Sequence, residues 1–389
     1  MPGYEVFGPE EQRAINELFE LNGGILFAHG FDGLRKGIYR VREFERAFAK
    51  KMGAEYAQAV SSGSAALRVA LAALGIGRGD EVIIPAFTFV ATAEAVIQTG
   101  ADLVIVDIDE TLNMSPKALE EAVTKKTKAI IPVHMMGAPA DMDAIMDIAR
   151  RNNLFVIEDN AQACGGTYKG KYLGTIGDIG AFSFDAGKVM ITGEGGMVLT
   201  NNEEFYVKAR AYHDHGHEYS TKFSRGEEGA IGEGFNYRMT ELQGAIGLVQ
   251  LSKLDMIIEK QRANKKALKK LIVDLPLEFR KIIDDGEIGD SIIFFLPSKE
   301  CADKFVGELK LEGLGTKNVP DAMRWHFAKH WKHMFNKYGW YKDRYETQWN
   351  ASANLLEKAI ALPIMVNMST KKIDEIAEKI AKITKKVLG

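Results

Sequence analysis

Short apolar segments alternate with amphipathic segments of helical length between residues 57 and 157. The apolar segments are continuous, which is typical of strands buried on both faces of a parallel sheet. In the segments between them, apolar residues recur every three to four positions, as in amphipathic helices. The predicted strands are 57–60, 81–85, 102–107, 129–133 and 154–157, and the predicted helices are 65–74, 91–99, 115–123 and 142–151. This alternation predicts an α/β fold with helices on both faces of a mostly parallel sheet.

Two domains are expected from the length of 389 residues, since a domain typically has about 100 to 200 residues. A helix is predicted over 9–20, and a long helix over 240–268 leads out of the α/β region. The remainder contains a predicted strand at 292–296 and a closing helix at 371–386. We therefore predict a large domain over residues 1–250 and a smaller α/β domain over residues 251–389.

Charge and hydropathy argue against several functional classes. The 50 basic and 53 acidic residues are evenly mixed and give a net charge of −3, without the basic patch of a nucleic-acid-binding protein. Lys265, Lys266, Lys269 and Lys270 recur at helical spacing and are interpreted as a solvated face. There is no secretory signal pattern and no apolar stretch of about 18 residues, so a cytoplasmic protein without a membrane span is expected. Two cysteines without metal-ligand spacing predict neither a disulfide framework nor a metal site.

Lys188 and Asp159 are the residues with the clearest chemical meaning. Lys188 precedes the glycine-rich turn 193–196, and Asp159 follows the apolar segment 154–157. A lysine amine can form a Schiff base with the aldehyde of pyridoxal phosphate, and a carboxylate can keep the pyridine nitrogen protonated. Taken singly, the lysine could be a solvated side chain and the aspartate a helix cap. Their combination favours a pyridoxal phosphate enzyme.

Polar and aromatic residues collect where the predicted strands end. The turn 62–65, Phe89, Asp159 and Ser183 all fall at carboxyl ends of strands, where parallel sheets bind ligands. The turn 62–65 begins a helix and offers backbone N–H groups to a phosphate, although it could also be only a structural cap. Neither a dinucleotide-binding nor an NTP-binding glycine motif occurs, which argues against those ligands.

Six motifs in order resemble the DegT/DnrJ/EryC1/StrS sugar aminotransferases. They are SGSAAL at 62–67, PAFTFVAT at 85–92, ED at 158–159 with QA at 162–163, FSF at 182–184 with Lys188, GEGG at 193–196, and NYRM at 236–239 continuing to 250–251. The resemblance covers residues 35–255. It implies the fold type I of pyridoxal phosphate-dependent transferases, with a seven-stranded, mostly parallel sheet and a smaller C-terminal α/β domain.

The resemblance also implies a role for each motif residue. It makes Lys188 the Schiff-base lysine and Asp159 the partner of the pyridinium nitrogen. It assigns Phe89 to stacking on the cofactor ring, Gln162 to the phenolic oxygen, and Gly63, Ser64, Ala65 and Ser183 to the phosphate. Asn236 would reach the phosphate of the neighbouring subunit's cofactor, which implies a homodimer with shared active sites. From the residue type alone, Phe89 could equally be a core side chain.

The implied reaction is transfer of an amino group from glutamate or glutamine to the keto group of a sugar, sugar nucleotide or sugar acid. Segments at 2–8, 31–33, 184–185 and 325–326 are most similar to the 8-amino-3,8-dideoxy-octulosonate transaminases of lipopolysaccharide sugar biosynthesis. Asp185 departs from the residues common in members that use sugar nucleotides. Two alternatives are a pyridoxal phosphate-dependent sugar dehydratase, in which histidine replaces the lysine, and a non-catalytic regulator, which should carry a DNA-binding segment.

Two further segments contain candidate substrate-binding residues. His213, His215 and His217 alternate and could bind a metal, but the resemblance places them in a loop near the substrate, with His215 as the candidate. The segment 324–333 is aromatic and basic. It is either an exposed helix or a substrate-facing segment in which Arg324 and His326 contact an anionic sugar.

Overall fold

A computed structural model describes residues 2–338, 341 and 345–389. The α-helices are α1 (Pro2–Glu5), α2 (Pro9–Leu21), α3 (Arg40–Met52), α4 (Gly63–Ala73), α5 (Val90–Ile97), α6 (Pro116–Ala122), α7 (Met142–Asn152), α8 (Glu203–Tyr212), α9 (Glu241–Ile272), α10 (Lys299–Leu311), α11 (Met323–His326), α12 (Lys332–Tyr338), α13 (Asn350–Leu356) and α14 (Thr370–Leu388). The strands are β1 (Tyr56–Val60), β2 (Glu81–Pro85), β3 (Asp102–Val106), β4 (Thr127–Ile130), β5 (Phe155–Asp159), β6 (Thr167–Tyr168), β7 (Lys171–Tyr172), β8 (Ile179–Ser183), β9 (Gly196–Thr200), β10 (Glu278–Phe279), β11 (Ser291–Phe295) and β12 (Ala359–Pro363).

A seven-stranded sheet forms the centre of the molecule, in the order β1-β9-β8-β5-β4-β2-β3. The pairs from β8 to β3 are parallel, whereas β9 runs antiparallel to both β8 and β1. The predicted α/β fold with a mostly parallel sheet is confirmed. β9 pairs antiparallel with β8 because residues 184–195 connect the two strands directly, without the crossover helix that a parallel pair requires.

Local sequence explains where the helices next to the sheet begin. Ser62 caps α4, and its Oγ accepts a hydrogen bond from the Ala65 N–H at 3.1 Å. Asp141 caps α7 in the same way through the Ala144 N–H at 3.2 Å. Each cap satisfies a backbone donor that the helix itself leaves free. The small apolar residues of α4 are buried and allow this helix to pack closely on β8 and β9.

The five strands and four helices predicted from the alternation all occur, with ends shifted by a few residues. The sequence analysis did not predict β8, β9, α8, α10 or β12. β8 and β9 are buried along their whole length, but β8 contains glycine and serine and β9 begins with glycine and ends with threonine, so their apolar runs are short. A buried central position allows such residues because neighbouring strands satisfy their backbone groups.

A second, three-stranded antiparallel sheet of β10, β11 and β12 lies in the C-terminal part of the chain. Residues of α9, α10 and α14 form a hydrophobic cluster with it, including Leu268, Phe294, Phe305 and Ile380. The predicted boundary at residue 250 falls within α9, and the division into two domains stays a prediction. Within the described residues, no helix combines the length and apolar character that a membrane span requires.

Candidate active site

A cavity of about 430 Å³ lies beyond the carboxyl ends of β1, β2, β5 and β8. Its volume is within the range of small-molecule sites, roughly 300 to 1,000 Å³. Its wall contains residues from segments that are far apart in the sequence. They are Ser62, Gly63, Ser64, Leu67, Thr88, Phe89, Ala91, Thr92, Val133, Asp159, Ala161, Gln162, Ser183, Asp185, Gly187, Lys188, Val189, Glu194, Asp290, Lys317, Asn318 and His326.

Asp159 is the last residue of β5 and only 4% of its surface is exposed. Its Oδ2 accepts a hydrogen bond from Thr92 Oγ1 at 2.9 Å, and its Oδ1 accepts one from the Ala161 N–H at 3.0 Å. Burial raises the pKa of Asp159, and these two hydrogen bonds only partly oppose that effect. Both donors are neutral, and the charges of Lys188 and His134 oppose the effect of burial less than the two hydrogen bonds do. The cavity therefore presents a buried carboxylate whose hydrogen-bond donors carry no charge.

Lys188 lies on the connection between β8 and β9. Asp185 shapes this connection, because its Oδ1 accepts a hydrogen bond from the Gly187 N–H at 2.7 Å and its carbonyl accepts one from the Lys188 N–H at 3.0 Å. Burial lowers the pKa of Lys188, while the carboxylates of Asp185 and Asp159 oppose that decrease. A lowered pKa increases the fraction of neutral amine, the form that reacts with a carbonyl group.

The N-terminus of α4 and the end of β8 form a narrow opening in the same wall. Ser62, Gly63 and Ser64 line the cavity there, opposite Ser183. A Cβ atom at Gly63 would lie 2.7 Å from Ser183 Cβ, closer than packed atoms approach. Ala65 does not line the cavity, and its N–H already donates to Ser62 Oγ. The backbone donors at this end can bind a phosphate, and glycine at position 63 allows α4 to approach Ser183 closely.

Phe89 and Gln162 occupy two other sides of the cavity. Phe89 is the N-cap residue of α5 and 43% exposed, so the alternative of a plain core side chain is wrong. Its ring centroid is 5.3 Å from that of His326. Gln162 Oε1 accepts a hydrogen bond from the Met136 N–H at 3.1 Å. The exposed face of Phe89 is available for an aromatic ring in the cavity.

These groups fit pyridoxal phosphate. A protonated pyridine nitrogen would give Asp159 a positively charged donor. The phosphate would fit in the cavity at the N-terminus of α4, where Gly63, Ser64 and Ser183 line the wall. A desolvated lysine and an exposed aromatic ring line the space between these two ends. Four features of different chemistry thus agree with one cofactor.

Four residues predicted for the site lie outside the cavity in this single chain: Ala65, described above, and His215, Arg324 and Asn236. His215 is exposed in the turn after α8, with a φ of 54°, and Arg324 is exposed on α11. His326, two residues after Arg324, faces inward and is 8% exposed, so the short helix separates the two side chains. Asn236 is exposed, and its Oδ1 accepts a hydrogen bond from the Arg238 N–H at 3.4 Å.

A buried carboxylate holds the segment that carries Asn236. Asp214 accepts hydrogen bonds from Tyr219 and Arg225, each at 2.6 Å, and from Arg238 at 2.5 Å. Burial alone would raise the pKa of Asp214, but hydrogen bonds, including one from His29, hold it well below its usual value. The segment therefore has a defined shape although Asn236 itself is exposed.

The three alternating histidines do not converge on one point. His213 Nε2 is 3.1 Å from the amide nitrogen of Gln58, and His217 pairs with Glu228 at 2.8 Å, while His215 is exposed. Among the described residues, no group of three or more His, Cys, Asp or Glu side chains is placed to hold a metal ion.

The sequence analysis missed a buried pair behind Asp159. Glu158 accepts hydrogen bonds from three backbone N–H groups, those of Gly174, Ile176 and Gly177, at 2.7 to 2.8 Å. His134 Nδ1 accepts the Ala140 N–H at 3.0 Å, which leaves Nε2 to donate to Glu158 Oε2 at 3.1 Å. This pair fixes the end of β5 that carries Asp159.

Other missed residues line the cavity itself. Thr92 lies one helical turn from Thr88 on α5, so helical spacing together with the Phe89 motif could have revealed it. Asp290, Lys317 and Asn318 come from the C-terminal part of the chain. No local pattern in the sequence marks these three residues, because only the packing of that part against the large sheet brings them to the cavity.

Comparison with known proteins identifies relatives over most of the chain. The DegT/DnrJ/EryC1/StrS aminotransferase family model matches residues 33–381. The chain is 45% identical over 241 residues to GDP-perosamine synthase of Escherichia coli O157:H7, which covers 62% of this chain and 65% of that protein, less than two thirds of its length. It is 37% identical to the spore coat polysaccharide biosynthesis protein SpsC of Bacillus subtilis (strain 168), with 89% and 90% covered. The X-ray structure of the aminotransferase from Psychrobacter cryohalolentis has a TM-score of 0.87 and 31% identity and covers 98% of each chain. The predicted resemblance is confirmed.

Proposed function

The chain belongs to the DegT/DnrJ/EryC1/StrS aminotransferase family, and from that premise we propose that it uses pyridoxal phosphate to transfer an amino group from glutamate or glutamine to a keto sugar. The observation that carries this proposal is the buried carboxylate of Asp159 in the same cavity as the desolvated amine of Lys188. When bound, the cofactor supplies an electron sink for the carbon that carries the amino group.

The residues of the chain would divide the work as follows. Asp159 holds a proton on the pyridine nitrogen, because its buried negative charge favours the protonated ring. Lys188 would hold the cofactor through its amine and would act as the base that moves a proton at the substrate carbon and at the C4′ atom. Phe89 holds the ring plane, and Gly63 and Ser183 hold the phosphate. Burial of Lys188 assists both of its tasks, since it lowers the pKa of the amine and so increases the neutral fraction.

For the acceptor we propose a keto sugar acid, such as the 8-keto form of a 3-deoxy-octulosonate. Asp185 supports this choice, because it lines the cavity at a position where members that use sugar nucleotides often carry histidine. The similarity to GDP-perosamine synthase favours a second candidate, a GDP-linked 4-keto sugar. Lys188 counts against the dehydratase alternative. A homodimer with shared sites, a cytoplasmic location and a role in lipopolysaccharide sugar biosynthesis belong to the same proposal.

The test combines cofactor trapping with an acceptor screen. Borohydride reduction of the yellow holoenzyme should label one peptide at Lys188, and Lys188→Ala should bind the cofactor non-covalently without turnover. Lys171→Ala, at an exposed lysine on β7, is the control and should behave like the wild type. Amine formation is then measured on the 8-keto octulosonate and on GDP-, UDP- and dTDP-linked 4-keto sugars, with glutamate and glutamine as donors.

The outcomes test the role of Lys188, the identity of the acceptor and the aminotransferase function separately. Labelling at another lysine would exclude the assigned role of Lys188. Turnover of nucleotide sugars alone would replace the octulosonate with the second candidate and leave the aminotransferase function standing. Failure of every keto sugar with both donors, in protein that carries the cofactor, would refute the aminotransferase function.

A further inference from the structure

The cationic side chains of the cavity are few. Among the described lining residues, the only Lys or Arg side chains are those of Lys188 and Lys317. Four carboxylates share the same wall: Asp159, Asp185, Glu194 and Asp290. In the proposed function Lys188 is bound to the cofactor. Lys317 is therefore the lysine of the cavity wall that is left to meet an anionic group of the substrate. An acidic cavity repels a second anion unless a cation meets it.

Lys317 is held in place by contacts on both its backbone and its side chain. Its N–H donates to the Ala361 carbonyl at 2.8 Å, and its carbonyl accepts from the Val319 N–H at 2.7 Å. Its ammonium group pairs with Asp290, whose side chain is 7% exposed. An ammonium group has three N–H donors, and this pair occupies one of them.

The charge of Lys317 also acts on the centre of the cavity. It is one of the charges that lower the pKa of Lys188, while Asp290 has the opposite effect. The neighbouring Asn318 lines the cavity as well, and its Nδ2 is 3.5 Å from Gln162 Oε1. The segment 317–318 thus forms the side of the cavity contributed by the C-terminal part of the chain.

We propose that Lys317, oriented by Asp290, binds the anionic group of the keto-sugar acceptor, a carboxylate or a phosphate. The inference rests on the proposed function and gives the substrate-binding role to a residue other than Arg324 or His215, which lie outside the cavity. Lys317 determines which acceptors bind, because burying an anion among carboxylates without a cation is costly.

The alternative is that Lys317 and Asp290 form an ion pair that only stabilises the fold. A second lysine–carboxylate pair, outside the cavity, provides a control for this alternative. Lys265, which the sequence analysis assigned to a solvated face, is instead 14% exposed and pairs with Glu287 at 2.5 Å. Lys317 is 25% exposed in its own pair with Asp290. Lys265 does not line the active-site cavity. Lys265→Met and Lys317→Met therefore each remove a partly buried lysine–carboxylate pair, but only one of them changes this cavity.

The experiment measures equilibrium binding to the holoenzyme by calorimetry. The first pair of probes is 3-deoxy-octulosonate and its methyl ester, neither of which has a keto group at C8. The second pair is GDP-mannose and methyl mannoside. We expect the wild type to bind the anionic member of one pair at least roughly tenfold more tightly than the neutral member, as for a hydrogen bond to a charged group. The pair that shows this preference identifies the anion.

Lys317→Met should lose the preference, whereas Lys317→Arg and Lys265→Met should keep it. The proposal is overturned if the wild type shows no preference in either pair or if Lys317→Met keeps it. These binding results do not require turnover, so they remain separate from failure of the aminotransferase function.

Discussion

Asp159→Asn should separate catalysis from stability. The amide has the shape of the carboxylate, so the substitution mainly removes the negative charge. The Ala161 N–H can still donate to the remaining oxygen. Thr92 can accept from the new NH₂ group, because its hydroxyl lies 2.7 Å from Thr88 Oγ1 and can donate there instead. The local hydrogen bonds therefore survive without the charge.

The expected loss of activity follows from removing one member of a buried charge pair. With the cofactor bound, Asp159 would face the protonated pyridine nitrogen, and breaking such a pair costs about 3–5 kcal/mol. At about 1.4 kcal/mol for each factor of ten, the rate should fall by roughly 10²- to 10⁴-fold. The absorbance of the cofactor should shift as well, because the ring nitrogen loses its proton.

The stability of the apoprotein should change in the opposite direction. Burial raises the pKa of Asp159 above the ordinary 3.8, so its contribution to stability is fully present below pH 3.8 and is lost as pH rises through the folded-state pKa. Asparagine has no such loss. The free energy of unfolding of apo Asp159→Asn should therefore equal or exceed that of the wild type near pH 7, with the difference growing as pH rises from about 4.

Single-turnover kinetics, absorbance spectra and denaturant unfolding from pH 4 to 8 test this prediction. Asp178→Asn is the control, because burial also raises the pKa of Asp178 and its carboxylate accepts the Val156 N–H at 2.8 Å, yet it does not line the cavity. The reasoning would be refuted by Asp159→Asn with near-normal rates and an unchanged spectrum. A large loss of apoprotein stability would show instead that Asp159 is mainly a structural residue.

Gly63→Ala should lower the free energy of unfolding by about 1–3 kcal/mol, because a new Cβ would lie 2.7 Å from Ser183 Cβ, and it should weaken cofactor binding because relieving this contact moves groups that line the cavity. Denaturant unfolding and titration of the apoprotein with cofactor test this, and Gly307→Ala, which meets open space, should bind normally. Unchanged affinity in Gly63→Ala would place the phosphate elsewhere. Mixing inactive Lys188→Ala and Asn236→Ala subunits should restore part of the activity if Asn236 completes a partner's site. The absence of recovery after verified subunit exchange would contradict shared sites.

The sequence by itself determined the parts of this protein that depend on local pattern. Alternating apolar and amphipathic segments predicted the parallel part of the sheet, because burial on both faces requires continuous apolar strands. Carboxyl ends of parallel strands meet at one edge. For that reason Gly63, Phe89 and Asp159 could be assigned to one site from the sequence, whereas Ser183 was assigned its role through the family resemblance because β8 was not predicted. All four line one cavity.

Local sequence patterns did not predict features that depend on the direction of a side chain or on packing between distant segments. Arg324 and His326 are two residues apart, and the sequence does not say which of them faces inward on a helix of four residues. β8 and β9 escaped prediction because central strands satisfy their backbone groups through neighbours and accept glycine or serine.

Only the tertiary structure decided which residues of the C-terminal part reach the cavity. Lys317 and Asp290 lie more than 100 residues after Lys188 in the sequence, in segments without a recognisable motif. Side chains of β11 and β12 belong to one hydrophobic cluster with residues of the large sheet, and this cluster holds the segments of Lys317 and Asp290 near the active site. The charge of the cavity therefore depends in part on long-range contacts that no local pattern encodes, whereas the ends of the predicted strands are encoded locally.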